Sequence, residues 1–365
     1  MAFFIDEISS DLWGYLQKCG RPVVLYGMGD GAEKIAAVLE EKHIPIADVM
    51  ASDEFVRGHS FLDHRVKKLS EIEEQHGNNF IILVCFGTNL PDVMRHILDI
   101  AKKHELYAPN VPVTGDTLFD LEFAKSHDTE FRNVYKMLAD EQSKKVFENV
   151  IRYKLSGDLK YLKAVETPSD EKFDLLNIGI EETYVDLGAY DGDTLVEFLN
   201  ETSMQFKKLY AMEPDSKSYR KLKRRLYMIS SALLECYNCG AWSENTTAVF
   251  SLSKGRGSRA VSDNGSPPRH SPRIREVKMM TVDTMLGGKE ATYIKFDVEG
   301  NEAEALRGAA DTITAFKPKL NIALYHRSED MFELPMLVSK FNKKYKFYMR
   351  HHPYFPDWDT NLYCI

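Results

Sequence analysis

Cysteine is scarce: five residues (Cys19, Cys85, Cys236, Cys239 and Cys364) in a chain of 365. An odd, scattered set excludes a disulfide framework. Cys236 and Cys239 form a C-x-x-C, but no second pair and no nearby histidine couple completes a zinc site, so both read as strand-end cysteines. No apolar run approaches the roughly 20 residues of a membrane-spanning helix. An excess of positive charge is also missing. With 47 basic against 55 acidic residues the net charge is −8, which speaks against a general nucleic-acid binder. Met1–Ile5 is apolar, but Asp6 and Glu7 follow at once, without a basic start or a small-residue cleavage site. No secretory leader is expected, and the cytoplasm is the expected compartment. No tandem repeat is visible.

What is present is the composition of a soluble globular protein, 44% hydrophobic and 28% charged, in a length that suggests about two domains. Apolar spacing over 6–19 (Ile8, Leu12, Tyr15, Leu16) predicts an N-terminal helix spanning the first 19 residues. Short apolar runs at 22–26, 46–50 and 80–86 then alternate with helical patterns at 32–41 and 91–104. That alternation predicts a first α/β unit with a parallel sheet over 20–125. Helices are expected over 139–165, broken at Gly157, within a helical preamble assigned to 126–175. A second alternation fills 176–365. Its strands are expected at 183–187, 208–212, 231–237, 292–297 and 320–325, and two final strands at 345–349 and 361–365 should pair antiparallel. Residues 251–275, rich in Ser, Gly, Pro and Arg, read as a long exposed loop, either a substrate lid or simple disorder.

The chemistry concentrates in the second half. Tyr184-Val-Asp-Leu-Gly-Ala-Tyr-Asp-Gly-Asp-Thr194 ends a strand in Asp186, makes a turn through Gly188 and Gly192 and opens a helix. Glycines there let backbone approach a ligand where a Cβ would clash. The spacing is D-x-G-x-x-x-G, which resembles the first motif of class I S-adenosylmethionine-dependent methyltransferases. In that resemblance Asp186, Gly188, Ala189, Tyr190, Asp191, Gly192, Asp193 and Thr194 line the cofactor, with Asp186 and Asp191 facing its cationic end. The next strand ends in Glu213-Pro214-Asp215, where an acid can accept both hydroxyls of a ribose. The third exits through Asn238, Gly240 and Ala241, beside the expected adenine position. The fourth reads Tyr293-Ile-Lys-Phe-Asp-Val-Glu-Gly300. Strand alternation puts Lys295, Asp297 and Glu299 on one face, and three charges at the carboxyl end of a central strand need partners or ligands.

Val185-Asp-Leu-Gly-Ala-Tyr-Asp-Gly192, Glu213-Pro214, Thr281-Val-Asp283, Ile294-Lys-Phe-Asp-Val-Glu-Gly-Asn-Glu302 and Leu306-Arg-Gly308 together resemble the FkbM-type methyltransferases over roughly 139–365. The preamble Leu138-Ala-Asp-Glu-Gln-Ser143 and the tail Tyr325-His326, Tyr345-Lys-Phe-Tyr-Met-Arg-His351 and Leu362-Tyr363 resemble those of bacterial members. The resemblance implies an α/β class I fold, a doubly wound sheet of order 3-2-1-4-5-7-6, with S-adenosyl-L-methionine as cofactor. It also implies O-methylation of a hydroxyl on a sugar, glycan or natural product. Many members carry a strand-five acid where this chain reads Ala323-Leu-Tyr-His326, which leaves Asp297 and His326 both as candidate bases. Lys295 and Glu299 complete the candidate catalytic set. No metal is assigned, a divalent ion on Asp297, Glu299 and His326 being the weaker alternative.

In the first half, Gly27-Met-Gly-Asp-Gly-Ala32 after a strand fits G-x-G-x-x-A and opens a helix. A Rossmann-like domain is expected, with Gly27, Gly29, Ala32 and either Asp48 or Asp53 as a second site for a nucleotide or nucleotide-sugar. No hydride-transfer constellation follows. The competing readings are a nucleotide-sugar or NAD-binding enzyme and a non-catalytic binding protein of the same fold. A homo-oligomer is possible on either reading.

Overall fold

Val23–Tyr26, here β1, is four consecutive apolar residues, all buried. Such a run suits a central parallel strand covered on both faces. The chain is described from a computed structural model covering residues 3–252, 258–260 and 273–365, with side chains described outside 249–275. β1 is joined by β2 (Ile46–Met50), β3 (Ser60–Phe61), β4 (His64–Lys67), β5 (Ile81–Val84) and β6 (Glu105–Tyr107), in the order β3-β4-β2-β1-β5-β6. All pairs are parallel except the β3/β4 hairpin. The expected N-terminal helix is shorter than its apolar spacing suggests. Asp11 accepts the Gly14 N–H at 2.8 Å, so the helix begins at Leu12, and Gly20 at φ +64° ends it at Cys19. A 3₁₀ turn, Phe4–Glu7, precedes it.

The long helix Glu141–Ser156 is set by its ends. Asp140 accepts from the Ser143 N–H, and Gly157 at φ +68° closes it. Its buried face carries Val146, Phe147, Val150 and Ile151. One contiguous apolar cluster runs from Val24 and Val84 through Phe131 and Phe147 to Leu187 and Phe296. The first sheet therefore shares a core with the second half of the chain.

The second half holds β7 (Thr183–Leu187), β8 (Lys208–Met212), β9 (Leu234–Tyr237), β10 (Gly240–Ala241), β11 (Thr246–Leu252), β12 (Ser258–Ala260), β13 (Arg273–Met280), β14 (Tyr293–Phe296), β15 (Lys319–Ala323), β16 (Phe347–His351) and β17 (Thr360–Cys364). Seven of them form a sheet of order β16-β17-β15-β14-β7-β8-β9. β9, β8, β7, β14 and β15 run parallel; β17 is antiparallel to both β15 and β16. The carboxyl ends of β7, β8, β9, β14 and β15 thus share one edge, and the chain order reverses at β7. Open α/β sheets place their ligands outside such a point.

β10–β13 make a separate sheet of order β10-β13-β11-β12. It corrects the expected loop at 251–275. Thr246–Leu252 pairs antiparallel with Arg273–Met280, so both flanks of that stretch are strand. Residues 253–257 and 261–272 lie outside the described residues.

The two halves are bolted together at the ligand edge. Lys154 and Asp357 form an ion pair of 2.7 Å with both side chains within 1% of full burial, and Asn110 Nδ2 donates to Asp357 Oδ1 at 3.0 Å. Thr88 and Phe355 exchange backbone hydrogen bonds of 2.7 and 2.9 Å.

Candidate active site

β7 delivers Asp186 to the edge of the sheet fully buried. Its Oδ2 accepts from Thr194 Oγ1 at 2.5 Å and its Oδ1 lies 3.4 Å from Lys295 Nζ. Burial raises its pKa and Lys295 opposes that rise. Asp191 pairs with Arg225 at 2.7 Å. The carboxylates of these two acids, expected to face a cationic ligand, are held by Lys295, Thr194 and Arg225.

The turn after β7 is shaped by its glycines. Gly188 has φ +78°, and its N–H and that of Ala189 donate to Met212 O at 3.1 and 3.0 Å. Ala189 is fully buried in the core beneath. Gly192, at φ +89°, opens the helix Asp193–Glu201, where Asp193 Oδ1 accepts the Thr194 N–H at 2.9 Å.

Glu213 follows β8 and is 6% exposed. Its Oε2 accepts the Tyr190 N–H at 2.8 Å and its Oε1 the Asp215 N–H at 2.7 Å. Burial pushes its pKa up to about 7 against those two donors. Asp215, not Glu213, caps the helix Ser216–Arg225, accepting from the Lys217 and Ser218 N–H groups. Asn238, after β9, donates from Nδ2 to Glu213 O at 2.8 Å and Pro214 O at 3.1 Å. A cavity of about 350 Å³ opens here, lined by Pro214, Asp215, Ser216, Asn238, Val277 and Lys278 among others. Gly240 and Ala241 are buried in β10, and a Cβ on Gly240 would stand 2.8 Å from the Met279 sulfur. Val277 and Lys278 of β13 are not legible as site residues in the sequence, because their stretch reads as the margin of a loop.

β14 ends at Phe296, sooner than the alternation argument needs. Glu299 has φ +56° and Gly300 φ +91°, so a turn, not strand pleating, carries Glu299 to the site. Lys295 Nζ lies between Asp186 Oδ1 (3.4 Å) and Asp297 Oδ2 (3.3 Å). Burial works against its charge, but the two acids outweigh burial and raise its pKa. Burial likewise works against the Asp297 carboxylate, yet Lys295 and then His326 outweigh it and hold that pKa down. Tyr325 donates its hydroxyl to Asp297 Oδ1 at 2.9 Å. Asp297 remains one-third exposed, open to the cleft.

His326, after β15, is 1% exposed among carboxylates. Nε2 lies 3.6 Å from both Asp297 Oδ1 and Glu299 Oε2, and Nδ1 lies 3.0 Å from Glu302 Oε1. Burial disfavours the imidazolium, but Glu302, Glu299 and Asp297 together push its pKa up to about 10. Asp297 and His326 thus stand side by side at the carboxyl ends of β14 and β15, Asp297 being the more exposed of the two. Glu302 closes the Ile294–Glu302 string without a role that the sequence assigns to it. In the fold its Oε1 accepts the Val298 N–H at 2.8 Å and so pins the turn that holds Glu299.

The first unit reaches into this site through Thr114. Its N–H donates to His326 O at 2.9 Å and its Oγ1 to Glu299 O at 3.1 Å. A Cβ on Gly300 would stand 2.8 Å from the Thr114 Cβ. No spacing signal in the sequence points to this residue.

The glycine turn of the first unit is built for packing. A Cβ on Gly31 would stand 2.4 Å from Cys85 O, one on Gly27 2.9 Å from the Phe86 ring, and Ala32 is fully buried. Only Gly29 faces open space. Asp48 is engaged by Lys67 and by His76 (2.7 Å), which corrects its expected reach towards a ribose. Asp53 is exposed beside Lys68.

A strand-end glycine turn, an acid after the next strand and a buried acid–lysine–acid row thus share one edge of an α/β sheet. Residues 186–361 match the family model described as the methyltransferase FkbM domain. Among solved structures, a methyltransferase FkbM from Methylobacillus flagellatus KT is similar with a TM-score of 0.74 at 20% identity, over 99% of this chain and 97% of that one. An rRNA methylase from Streptococcus thermophilus matches with a TM-score of 0.34 at 14% identity, over 55% of this chain and 96% of its own. Fibrillarin from Aeropyrum pernix, solved with natively bound S-adenosyl-L-methionine, matches with a TM-score of 0.31 at 9% identity, over 53% and 73%. Nothing among the curated proteins matches the chain. Among the described residues no helix is long and apolar enough to cross a membrane.

Proposed function

We propose that the protein uses S-adenosyl-L-methionine to methylate a hydroxyl oxygen of a sugar, glycan or natural product. The observation that carries this reading is the row Asp186–Lys295–Asp297, set against the Gly188 turn with Asp297 open to the cleft. The cleft fits such a cofactor on two counts. Glu213 ends β8 with a carboxylate at the ligand edge, and the cavity beside Asn238 gives a planar base somewhere to lie.

The cofactor, when bound, supplies an electrophilic methyl on a cationic sulfur and leaves as the neutral thioether. The chain's own part is positioning and proton removal. Glu213 accepts ribose hydroxyls in its carboxylate form. Asp297 accepts the acceptor's hydroxyl proton as the new carbon–oxygen bond forms, then releases it to water through its exposed side. Lys295 keeps Asp297 ionised, and Tyr325 holds its Oδ1 in place. Thr114 makes the first unit a wall of the acceptor side. That unit, Rossmann-like in its strand order, has free space over Gly29, which supports room for a nucleotide or nucleotide-sugar part of the acceptor.

The test is transfer of a labelled methyl group from the cofactor to hydroxylated acceptors, among them free sugars, nucleotide-sugars and oligosaccharides. Labelled ether in at least one product, absent with Asp297→Asn, supports the reading. No transfer to any acceptor, together with no binding of S-adenosylhomocysteine, ends it.

A further inference from the structure

Two buried atoms at the acceptor edge have no hydrogen-bond partner among the described residues: His326 Nδ1 and Glu302 Oε2. Both side chains are within 1% of full burial. Burying such atoms without a hydrogen bond is costly unless something outside the protein chain meets them. His326 Nδ1 has an electrostatic neighbour in Glu302 Oε1 at 3.0 Å, but Glu302 Oε2 has no hydrogen-bond partner among the described residues.

The two groups converge with a third. Asp297, Glu302 and His326 each offer a ligand atom, and the three atoms lie within 4.8 Å of one another. Ligands about 2.0–2.2 Å from one ion stand about 3–4 Å apart, so a small inward movement closes the set. We propose that Asp297, Glu302 and His326 bind one divalent first-row transition ion. One imidazole nitrogen with two carboxylates suits Mn²⁺, Fe²⁺ or Zn²⁺ better than all-oxygen Mg²⁺ or Ca²⁺. The ion would displace the ring's proton, and two carboxylates with a neutral ring then balance its double positive charge. Three protein ligands leave positions open, and the open side is that of Asp297, since the other two side chains are enclosed. Lys295 stays on Asp297 Oδ2, and Oδ1, the oxygen nearer His326, would meet the ion through the lone pair not engaged by the Tyr325 hydroxyl. Glu302 thereby gains a role beyond bracing its own turn.

The role of the ion deepens the methyl-transfer reading and rests on it. An ion on the cleft side would take the acceptor hydroxyl into an open position and make its proton easier to remove at Asp297. The binding site itself does not depend on that reading.

The experiment uses the full chain, stripped with a chelator. Mn²⁺ is titrated and the free ion followed by electron paramagnetic resonance; Zn²⁺ is measured by competition with a chromophoric chelator. One ion per chain with a Kd below about 100 µM is expected. In folded Glu302→Gln the affinity falls by about tenfold or more. Bound Mn²⁺ in the wild-type chain shows electron–nuclear coupling to an imidazole nitrogen, a readout that needs no variant. Binding weaker than about 1 mM, or bound Mn²⁺ without nitrogen coupling, overturns the proposal. So does undiminished affinity in Glu302→Gln. Metal binding without S-adenosylhomocysteine binding sinks the methyl-transfer reading alone; the converse sinks only the ion.

Discussion

The carbonyl oxygen of Asp297 occupies the space a side chain on Gly188 would need: a Cβ there would lie 1.9 Å away. The obstacle is backbone on both sides, and Gly188 also sits at φ +78°. The turn after β7 and the end of β14 thus meet main chain to main chain at this point. Gly188→Ala should lose at least about 2 kcal/mol of stability, from overpacking and backbone strain together. Denaturant titration checks the stability. The S-adenosylhomocysteine affinity of the folded fraction should fall as well, because the Tyr190 N–H that meets Glu213 moves with the turn.

Asp297→Asn keeps the shape of the side chain and removes its charge. Methyl transfer should drop by about 10²–10⁴-fold, the usual worth of a positioned proton acceptor. Calorimetry should find S-adenosylhomocysteine affinity changed by less than about threefold, since the cofactor groups lie on β7 and β8. A variant as active as the wild type removes Asp297 from the mechanism.

Lys295 holds two acids at once, and its own exposure is 7%. Lys295→Met leaves Asp186 buried without its cation. Breaking a buried ion pair by deleting one partner costs about 3–5 kcal/mol. Chemical denaturation of the two proteins at neutral pH measures it. The double variant Asp186→Asn, Lys295→Met should recover part of the loss.

Glu213 carries a pH signature. Its pKa in the folded chain is about 7, raised from 4.5 by burial, with the neighbouring acids Asp215 and Asp186 adding to the rise. The folded chain therefore holds a proton that the unfolded chain has released. Glu213's contribution to stability is complete below about pH 4.5 and is lost as pH rises through about 7. Ligand affinity should run the other way, because only the carboxylate can accept from ribose hydroxyls. S-adenosylhomocysteine should bind more tightly at pH 8 than at pH 6 and displace a proton, seen as buffer-dependent heat in calorimetry. Glu213→Gln should flatten both dependences.

Much of this site is legible in the sequence because it obeys a strand-turn-helix grammar. Asp186, Gly188, Glu213 and Asp297 stand out from strand ends and glycines alone, and each sits at the expected edge. What the sequence does not yield depends on distance across the chain. Nothing local marks Thr114 as a neighbour of Gly300, or Tyr325 as the donor to Asp297. Burial is also invisible in the sequence. It works against the charged forms of both Asp186 and His326, and for His326 the surrounding carboxylates outweigh it. In the first unit the glycine spacing reads as a ligand cradle, whereas Gly27 and Gly31 serve the close approach of a helix to Cys85 and Phe86. β13 is hidden because its neighbours have the composition of a loop while its partner strand is distant in sequence, Arg273 pairing with Leu252 and Met279 with Thr246.

Calorimetric titration of the wild-type chain with S-adenosylhomocysteine, run beside NAD, tests the methyl-transfer reading most directly. One site per chain is predicted for S-adenosylhomocysteine, weakened by Glu213→Gln, and no heat of binding for NAD. Saturable NAD binding with no response to S-adenosylhomocysteine would contradict it.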